Sequence, residues 1–283
     1  MKKFFVIALL ILMPMCLFGC SQDLVAQASK DANTYQIIAT LDDENKTLTA
    51  TETLTYKNNS QNTMEYLMFH LHPNAFSEGA TTNSAVSKTQ EAKAYDNEKS
   101  YGGIEISAVK QNKNETTFAV EGADKHLLKV DLKTPLAPNT ETSVQINFSL
   151  TIPNCNHRFG YGQHTINLGN WYPVVSIFEN GEWNTDGYIP SGDPFYTQIA
   201  NYDVTLTYSS NLILASTGEL QKTSTDENLT TSNYEALAVR DFAMVLSKDF
   251  QVLTKQVDEV TINYFYYDDE NAEKHLDAGV DAL

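Results

Sequence analysis

Few residues in this sequence combine a type and a spacing that could do chemistry. His70 and His72 stand one residue apart in the run Leu67-Met68-Phe69-His70-Leu71-His72. On a strand that alternation turns both rings to one face, a spacing that can hold a metal ion. The neighbouring sequence supplies no third or fourth ligand, so packing and hydrogen bonding is the favoured role and no metal site is expected. The acidic runs Asp42-Asp43-Glu44 and Asp268-Asp269-Glu270 lack the glycine and distal glutamate of a calcium loop and read as solvated turns. Arg158 and Arg240 are the only arginines, and Arg240-Asp241 reads as a structural pair. An aromatic-rich stretch over 153–200 carries Trp171, Tyr172, Trp183, Phe195 and Tyr196, which could line a pocket or cement a contact with a neighbouring domain. The interface is the favoured reading of these five.

The most specific chemical signal is at the start. Lys2 and Lys3 precede an uncharged apolar run, Phe4–Met15, with the length of a signal-peptide core. It leads into Leu17-Phe18-Gly19-Cys20, a lipobox-like sequence in which a small residue precedes a cysteine to be diacylated. Residues 1–19 are therefore expected to be a lipoprotein signal peptide. Cys20 becomes the lipidation site, and the mature chain sits outside the cytoplasm, lipid-anchored to a bacterial cell membrane. An ordinary secretory signal with an incidental cysteine is the alternative.

The formal charge of -17 becomes about -19 once Lys2 and Lys3 are gone. Such a chain repels nucleic acid and anionic headgroups, so no nucleic-acid partner is expected and membrane contact falls to the acyl chains. With Cys16 in the signal and Cys20 acylated, Cys155 is left alone and no disulfide framework is possible. Stability must come from a core, and 42% hydrophobic residues suffice for a substantial one.

The elements around these residues are mostly strands. Residues 20–33 are small and polar and read as a tether without structure. From Thr34 a period of two sets in. Over 47–56 five threonines take one face, while Leu48, Ala50, Leu54 and Tyr56 take the other. A threonine array of this kind can bind ice or glycans, but a wet sheet face is the simpler reading. Similar alternation returns at Ile104/Ile106/Ala108, Phe118/Val120, Leu128/Val130/Leu132, Val144/Ile146/Phe148/Leu150 and Tyr202/Val204/Leu206/Tyr208. Turn-forming pairs such as Glu121-Gly122 and Pro138-Asn139 separate them. The pattern predicts an all-β chain of antiparallel sheets packed as a sandwich, with a surface loop at 77–101. After a strand at Val260–Tyr267, residues 270–283 switch to helical spacing with Leu276, Val280 and Leu283 on one side. A helix that begins at the very end predicts either a following domain or a terminal helix docked on the sheet.

Several segments together resemble the amino-terminal domain of the aminopeptidase N family of zinc metallopeptidases, in its bacterial lipoprotein branch. Tyr35–Asp42 and Leu48–Asn58 resemble its first hairpin, whose second strand ends in a Tyr-x-Asn turn. Leu67–Phe76 is close to its F-H-L-H-P-N-A-F strand. Asn170-Trp171-Tyr172-Pro173, Gly192-Asp193-Pro194-Phe195-Tyr196, Tyr202-Asp203-Val204, Ala215-Ser216-Thr217-Gly218 and Arg240-Asp241-Phe242-Ala243 follow in the family's order.

The resemblance implies a saddle-like, mostly antiparallel β-domain over 34–268, packed beside a thermolysin-like catalytic domain whose start is expected within 269–283. That domain would carry the zinc through H-E-x-x-H and a further glutamate, and a G-x-M-E-N stretch that grips the substrate's free amine. Neither motif occurs here, so the chain is expected to lack catalytic residues and to hold no zinc of its own. The resemblance also assigns Gln163 a role. A glutamine or glutamate of this domain, set ahead of a proline such as Pro173, helps bind the substrate's amino group, and Gln163 would do so through its carbonyl oxygen. An ordinary loop glutamine is the alternative. The implied function is the non-catalytic front part of a cell-surface aminopeptidase, which meets peptides through the catalytic domain and the membrane through Cys20. A free-standing surface β-module or binding lipoprotein is the rival.

Overall fold

The computed structural model describes residues 20–82, 84–87, 94–95, 99–190 and 195–282. The signal-peptide segment and Gly192-Asp193-Pro194 lie outside the described residues, as do the side chains of residues 20–23.

The chain is built from antiparallel sheets, as the alternation predicts. The largest runs in the order β16 (Glu219–Asp226), β17 (Leu229–Val239), β14 (Ala200–Ser209), β1 (Asn33–Asp42), β2 (Thr47–Lys57), β8 (Glu141–Thr151), β4 (Gly103–Gln111) and β5 (Asn114–Glu115). A second sheet orders β11 (Val174–Val175), β3 (Met64–His70), β7 (Leu127–Leu136) and β6 (Phe118–Glu121). A third orders β15 (Ile213–Ser216), β18 (Met244–Ser247), β10 (Ile166–Leu168) and β9 (Phe159–Tyr161). Two ribbons complete the set, β12 (Phe178–Glu179) with β13 (Glu182–Trp183), and β19 (Gln251–Val257) with β20 (Val260–Tyr266).

Period-two patterning fixes which side of the large sheet is wet. Thr34, Gln36, Ile38 and Thr40 of β1 lie opposite Thr55, Thr53, Thr51 and Thr49 of β2, and the threonines continue onto Ser143, Gln145, Asn147 and Ser149 of β8. The opposite parity packs the core: Tyr35, Ile37, Ala39, Leu48, Leu54, Val144, Ile146, Val204 and Leu206 are all buried. Burying each large apolar side chain stabilises the fold by roughly 1.5–3 kcal/mol. One pair of strands departs from the antiparallel rule, since β1 and β14 run parallel from Asn33↔Ala200 to Thr40↔Thr207. Positive φ falls where the sequence placed turns, at Gly122 (81°) and Asn139 (57°).

Three expectations need correction. Residues 20–31 are not an unstructured tether but helix α1 (Cys20–Asp31). Its end is held by backbone acceptors, Asn201 Nδ2 donating to Ser29 O at 2.8 Å and Lys57 Nζ to Lys30 O at 2.6 Å. A helix docked through its carbonyls leaves little apolar periodicity to read, and Leu24 and Val25 are exposed. The loop at 77–101 is also more than a surface excursion, because Ala85 and Ala94 are buried and Ala85 N–H donates to Ala75 O at 2.9 Å.

The third correction concerns the aromatic stretch. Trp171 and Tyr172 are wholly buried within the chain's own core and Trp183 nearly so, which removes them from any surface. Trp171 Nε1 donates to Phe242 O at 3.1 Å, so its one polar atom is satisfied as burial requires. Phe195 is half-buried and Tyr196 exposed. The terminal helix α2 (Ala272–Asp281) docks on the β19–β20 ribbon, with Ala272 and Leu276 buried and Tyr264 meeting His275 edge-on. Among the described residues no helix is long and apolar enough to cross a membrane.

Candidate functional site

Gln163 sits at the tip of the β9–β10 hairpin, where Gly162 N–H donates to Thr165 O at 2.9 Å and closes the turn. The hairpin is short because it is pinned on both sides. Phe159↔Leu168, Gly160↔Asn167 and Tyr161↔Ile166 pair within it, and β10 continues onto β18. On the other flank Tyr161 N–H donates to Pro153 O at 2.9 Å and Cys155 N–H to Tyr161 O at 3.0 Å. This lacing explains Gly160, whose φ is +149° and where a Cβ would lie 2.2 Å from Cys155 O. Only glycine allows such an approach of two backbones.

The result is an exposed amide on a rigid stem. Gln163 borders a cleft of about 370 Å³ with Asp43, Lys46, His164, Ser247 and Lys248. Gln163 is exposed, and its side chain makes no hydrogen bond to another described residue. Lys46 lies over the Tyr161 ring at 5.2 Å, which places a cation at the cleft wall. Beside the glutamine, His164 Nδ1 is 2.9 Å from Asp249 Oδ2, and its ring stacks on Tyr267 at 4.4 Å. The hairpin bearing Gln163 is thereby tied to the segment that leads into β19 and out of β20.

His70 and His72 come together in a different way. β3 ends at His70, and His72 opens a 3₁₀ turn over His72–Phe76, so the two are not a continued strand. Their rings nevertheless stack, 5.2 Å apart and 6° from parallel. Both are buried, and His72 meets the edge of Phe195 at 4.7 Å, with the Arg158 guanidinium on that ring at 4.9 Å. Burial pushes His70 down to about 4, with His126 a lesser cause. Burial likewise holds His72 well below the usual imidazole range, followed by the neighbouring His70, His126 and Arg158. Neutral stacked rings are packing elements at neutral pH. Among the described residues no three His, Cys, Asp or Glu side chains group so as to hold a metal ion.

The remaining polar residues serve the fold. Arg240 and Asp241 do not pair with each other. Arg240, at a bend past the end of β17, donates to Thr197 O at 2.7 Å, while Asp241 accepts from Asn170, Tyr172 and the Phe242 N–H. Asn58, at the end of the Tyr-x-Asn turn, donates to Asn62 O and Leu136 O and accepts from Ser60, so its buried amide is fully used. Asp42 and Asp269 cap turns, as expected of solvated acidic runs. Cys155 is a buried free thiol, pushed up to about 11 by burial.

One residue escaped the sequence reading altogether. Glu52 shares the parity of Leu48, Ala50, Leu54 and Tyr56 and is fully buried on the core face, with neither carboxyl oxygen hydrogen-bonded. Desolvation lifts it well above the usual carboxylate range, which favours its neutral form. The strand's own alternation was the signal that could have found it.

Against known structures the geometry has clear counterparts. A crystal structure of the M1 zinc metallopeptidase from Deinococcus radiodurans aligns with 84% of this chain at a TM-score of 0.51 and 14% identity. A point mutant of that enzyme bound to a Tyr-Ser-Ala substrate aligns with 86% at the same TM-score. The chain shares their fold. It spans about half of those chains, 48% and 51% respectively. No protein-family model matches the sequence, and no curated protein matches it in sequence.

Proposed function

We propose that this chain is the amino-terminal, non-catalytic β-domain of a cell-surface zinc aminopeptidase. It supports the catalytic domain and presents Gln163 to the amino group of the bound peptide. The observation that carries the reading is the shared fold over 84% of this chain against 48% of a zinc metallopeptidase. Gln163 on its rigid, exposed hairpin supports the binding role. The zinc belongs to the partner domain, because the donor set here does not fit it: His70 and His72 are stacked and buried, and among the described residues no third His, Cys, Asp or Glu groups with them to hold a metal ion. Zinc needs three protein ligands around an open position to make water nucleophilic. Cys20 would carry the lipid anchor, at the head of α1 and outside the cytoplasm.

The coding sequence downstream of Leu283 tests the reading. An in-frame H-E-x-x-H is expected there; a stop with no such motif would overturn it. In the enzyme containing both domains, Gln163→Ala is expected to raise KM for aminoacyl arylamides about tenfold, with a smaller change in kcat. An unchanged KM would remove Gln163 from the site. Metabolic labelling with palmitate tests the anchor, with label lost in Cys20→Ser; label retained in that variant would assign acylation elsewhere.

A further inference from the structure

Among the described residues the large sheet has an edge left partly unpaired. β4 pairs with β8 along one side, and on its other side the described partners are β5, through Lys110 and Gln111, and Thr116, whose N–H donates to Val109 O at 3.0 Å. In the second sheet β6 pairs with β7 alone and ends the order. A groove of about 770 Å³ is lined by Ile104, Glu105 and Ile106 of β4 and by Val120 of β6, with Asp124 and Lys125 from the turn after β6. Ile104 N–H donates to Asn74 Oδ1 at 2.9 Å, and Asn74 Nδ2 to Lys125 O at 2.7 Å, so one side chain spans the groove floor and holds the walls apart. The same bond shows that Ile104 directs its backbone groups away from β8, and strand alternation directs those of Ile106 the same way. The Ile104 N–H is taken by Asn74, but the outward groups of Ile106 have no strand partner among the described residues, and such groups are a template for another strand.

We propose that this groove takes an extended, basic peptide by strand addition to β4. The lining decides the occupant. Glu78, Glu105 and Asp124 outweigh Lys125, while Tyr101 and Val120 offer exposed apolar surface for alternate side chains. Basic and apolar residues in alternation complement such a wall. A second copy of this chain is disfavoured, since each copy brings the same acidic groove and a formal charge of -17. The register shift between Ile106 and Ala108 also interrupts the edge after a few residues, which suits one short segment better than a continued sheet. The inference does not depend on the peptidase reading.

Fluorescence anisotropy with a labelled, end-blocked peptide of alternating lysine and valine tests it. Saturable binding is expected in roughly the micromolar range. Reversal of the exposed pair, Glu78→Lys with Glu105→Lys, should weaken it by about tenfold or more, as should N-methylation of alternate peptide amides. Ile106→Pro, which removes an outward N–H, should act like the methylated peptide; should that variant fail to fold, the surface charge pair decides alone. Equal binding of the methylated peptide, indifference to the charge reversal, or no saturation by about 1 mM would overturn the proposal. A dimer in sedimentation that Ile106→Pro dissolves would give the edge to a second copy and overturn it as well.

Discussion

His72, which opens the 3₁₀ turn after β3, and Gln163, at the tip of a hairpin, are both polar side chains, and each has a chemistry that could bind something. The first is buried against His70 and Phe195; the second stands in solvent on a hairpin laced by backbone hydrogen bonds. Burial in a ring stack, with no third donor grouped beside it among the described residues, leaves a potential ligand as a packing element. A rigid stem with an exposed tip leaves the chemistry free and the fold indifferent to it. The comparison therefore predicts opposite sensitivities, in stability for the histidine nest and in binding for the hairpin.

The largest effect expected is on the nest. His72→Ala should cost about 3 kcal/mol in urea unfolding, through a cavity and the loss of packing on Phe195. A cost under about 1 kcal/mol would show that the stack is not part of the core. Acid should attack the same place. Because the folded pKa values lie below the unfolded ones, stability is full above about pH 6.5. It falls with pH by about 1.4 kcal/mol per unit for each histidine, and His70 ceases to contribute once the pH reaches about 4. Unfolding followed from pH 7.5 to 4, with and without His70→Asn, would show whether the slope belongs to the nest.

Glu52 gives a response of the other sign. Its folded pKa is raised, so its neutral form fits the core at low pH. Stability is lost as pH rises from the unfolded glutamate value toward the folded one, by about 1.4 kcal/mol per unit. Glu52→Gln, which cannot ionise, should be more stable than the parent at pH 7 and should lose that slope. An unchanged slope would place the ionisation elsewhere. A smaller loss, about 1 kcal/mol, is expected for Tyr172→Phe, whose hydroxyl lies 2.9 Å from Tyr202 Oη and 3.0 Å from Asp241 Oδ1. Gln163→Ala should leave stability within about 0.5 kcal/mol of the parent.

Much of this architecture is legible in residue order, for reasons that differ from place to place. Alternation in β2 and β8 states both the wet and the buried face, and Gly122 and Asn139 announce their turns by what positive φ permits. Glu52 was just as legible by parity, but a carboxyl reads as surface unless the strand pattern is allowed to overrule the residue type. The parallel pairing of β1 with β14 joins segments far apart in the chain, and no local pattern encodes it. Helix α1 is held through Ser29 and Lys30 carbonyls, which leave no trace in side-chain chemistry. The aromatic stretch was visible, yet whether Trp171 faced this core or a neighbour depended on the tertiary packing around Phe148 and Phe242. For the candidate site, Gln163 is named by resemblance alone, whereas the brace of His164 on Asp249 and Tyr267 is seen only in the fold.

On the proposed reading this chain binds and supports, and holds no zinc of its own. Zinc content after dialysis against zinc buffer, measured on the purified chain together with hydrolysis of aminoacyl arylamides, tests it most directly. Zinc and activity are both expected at background; a stoichiometric zinc lost on replacing His70 or His72, accompanied by hydrolysis, would contradict this.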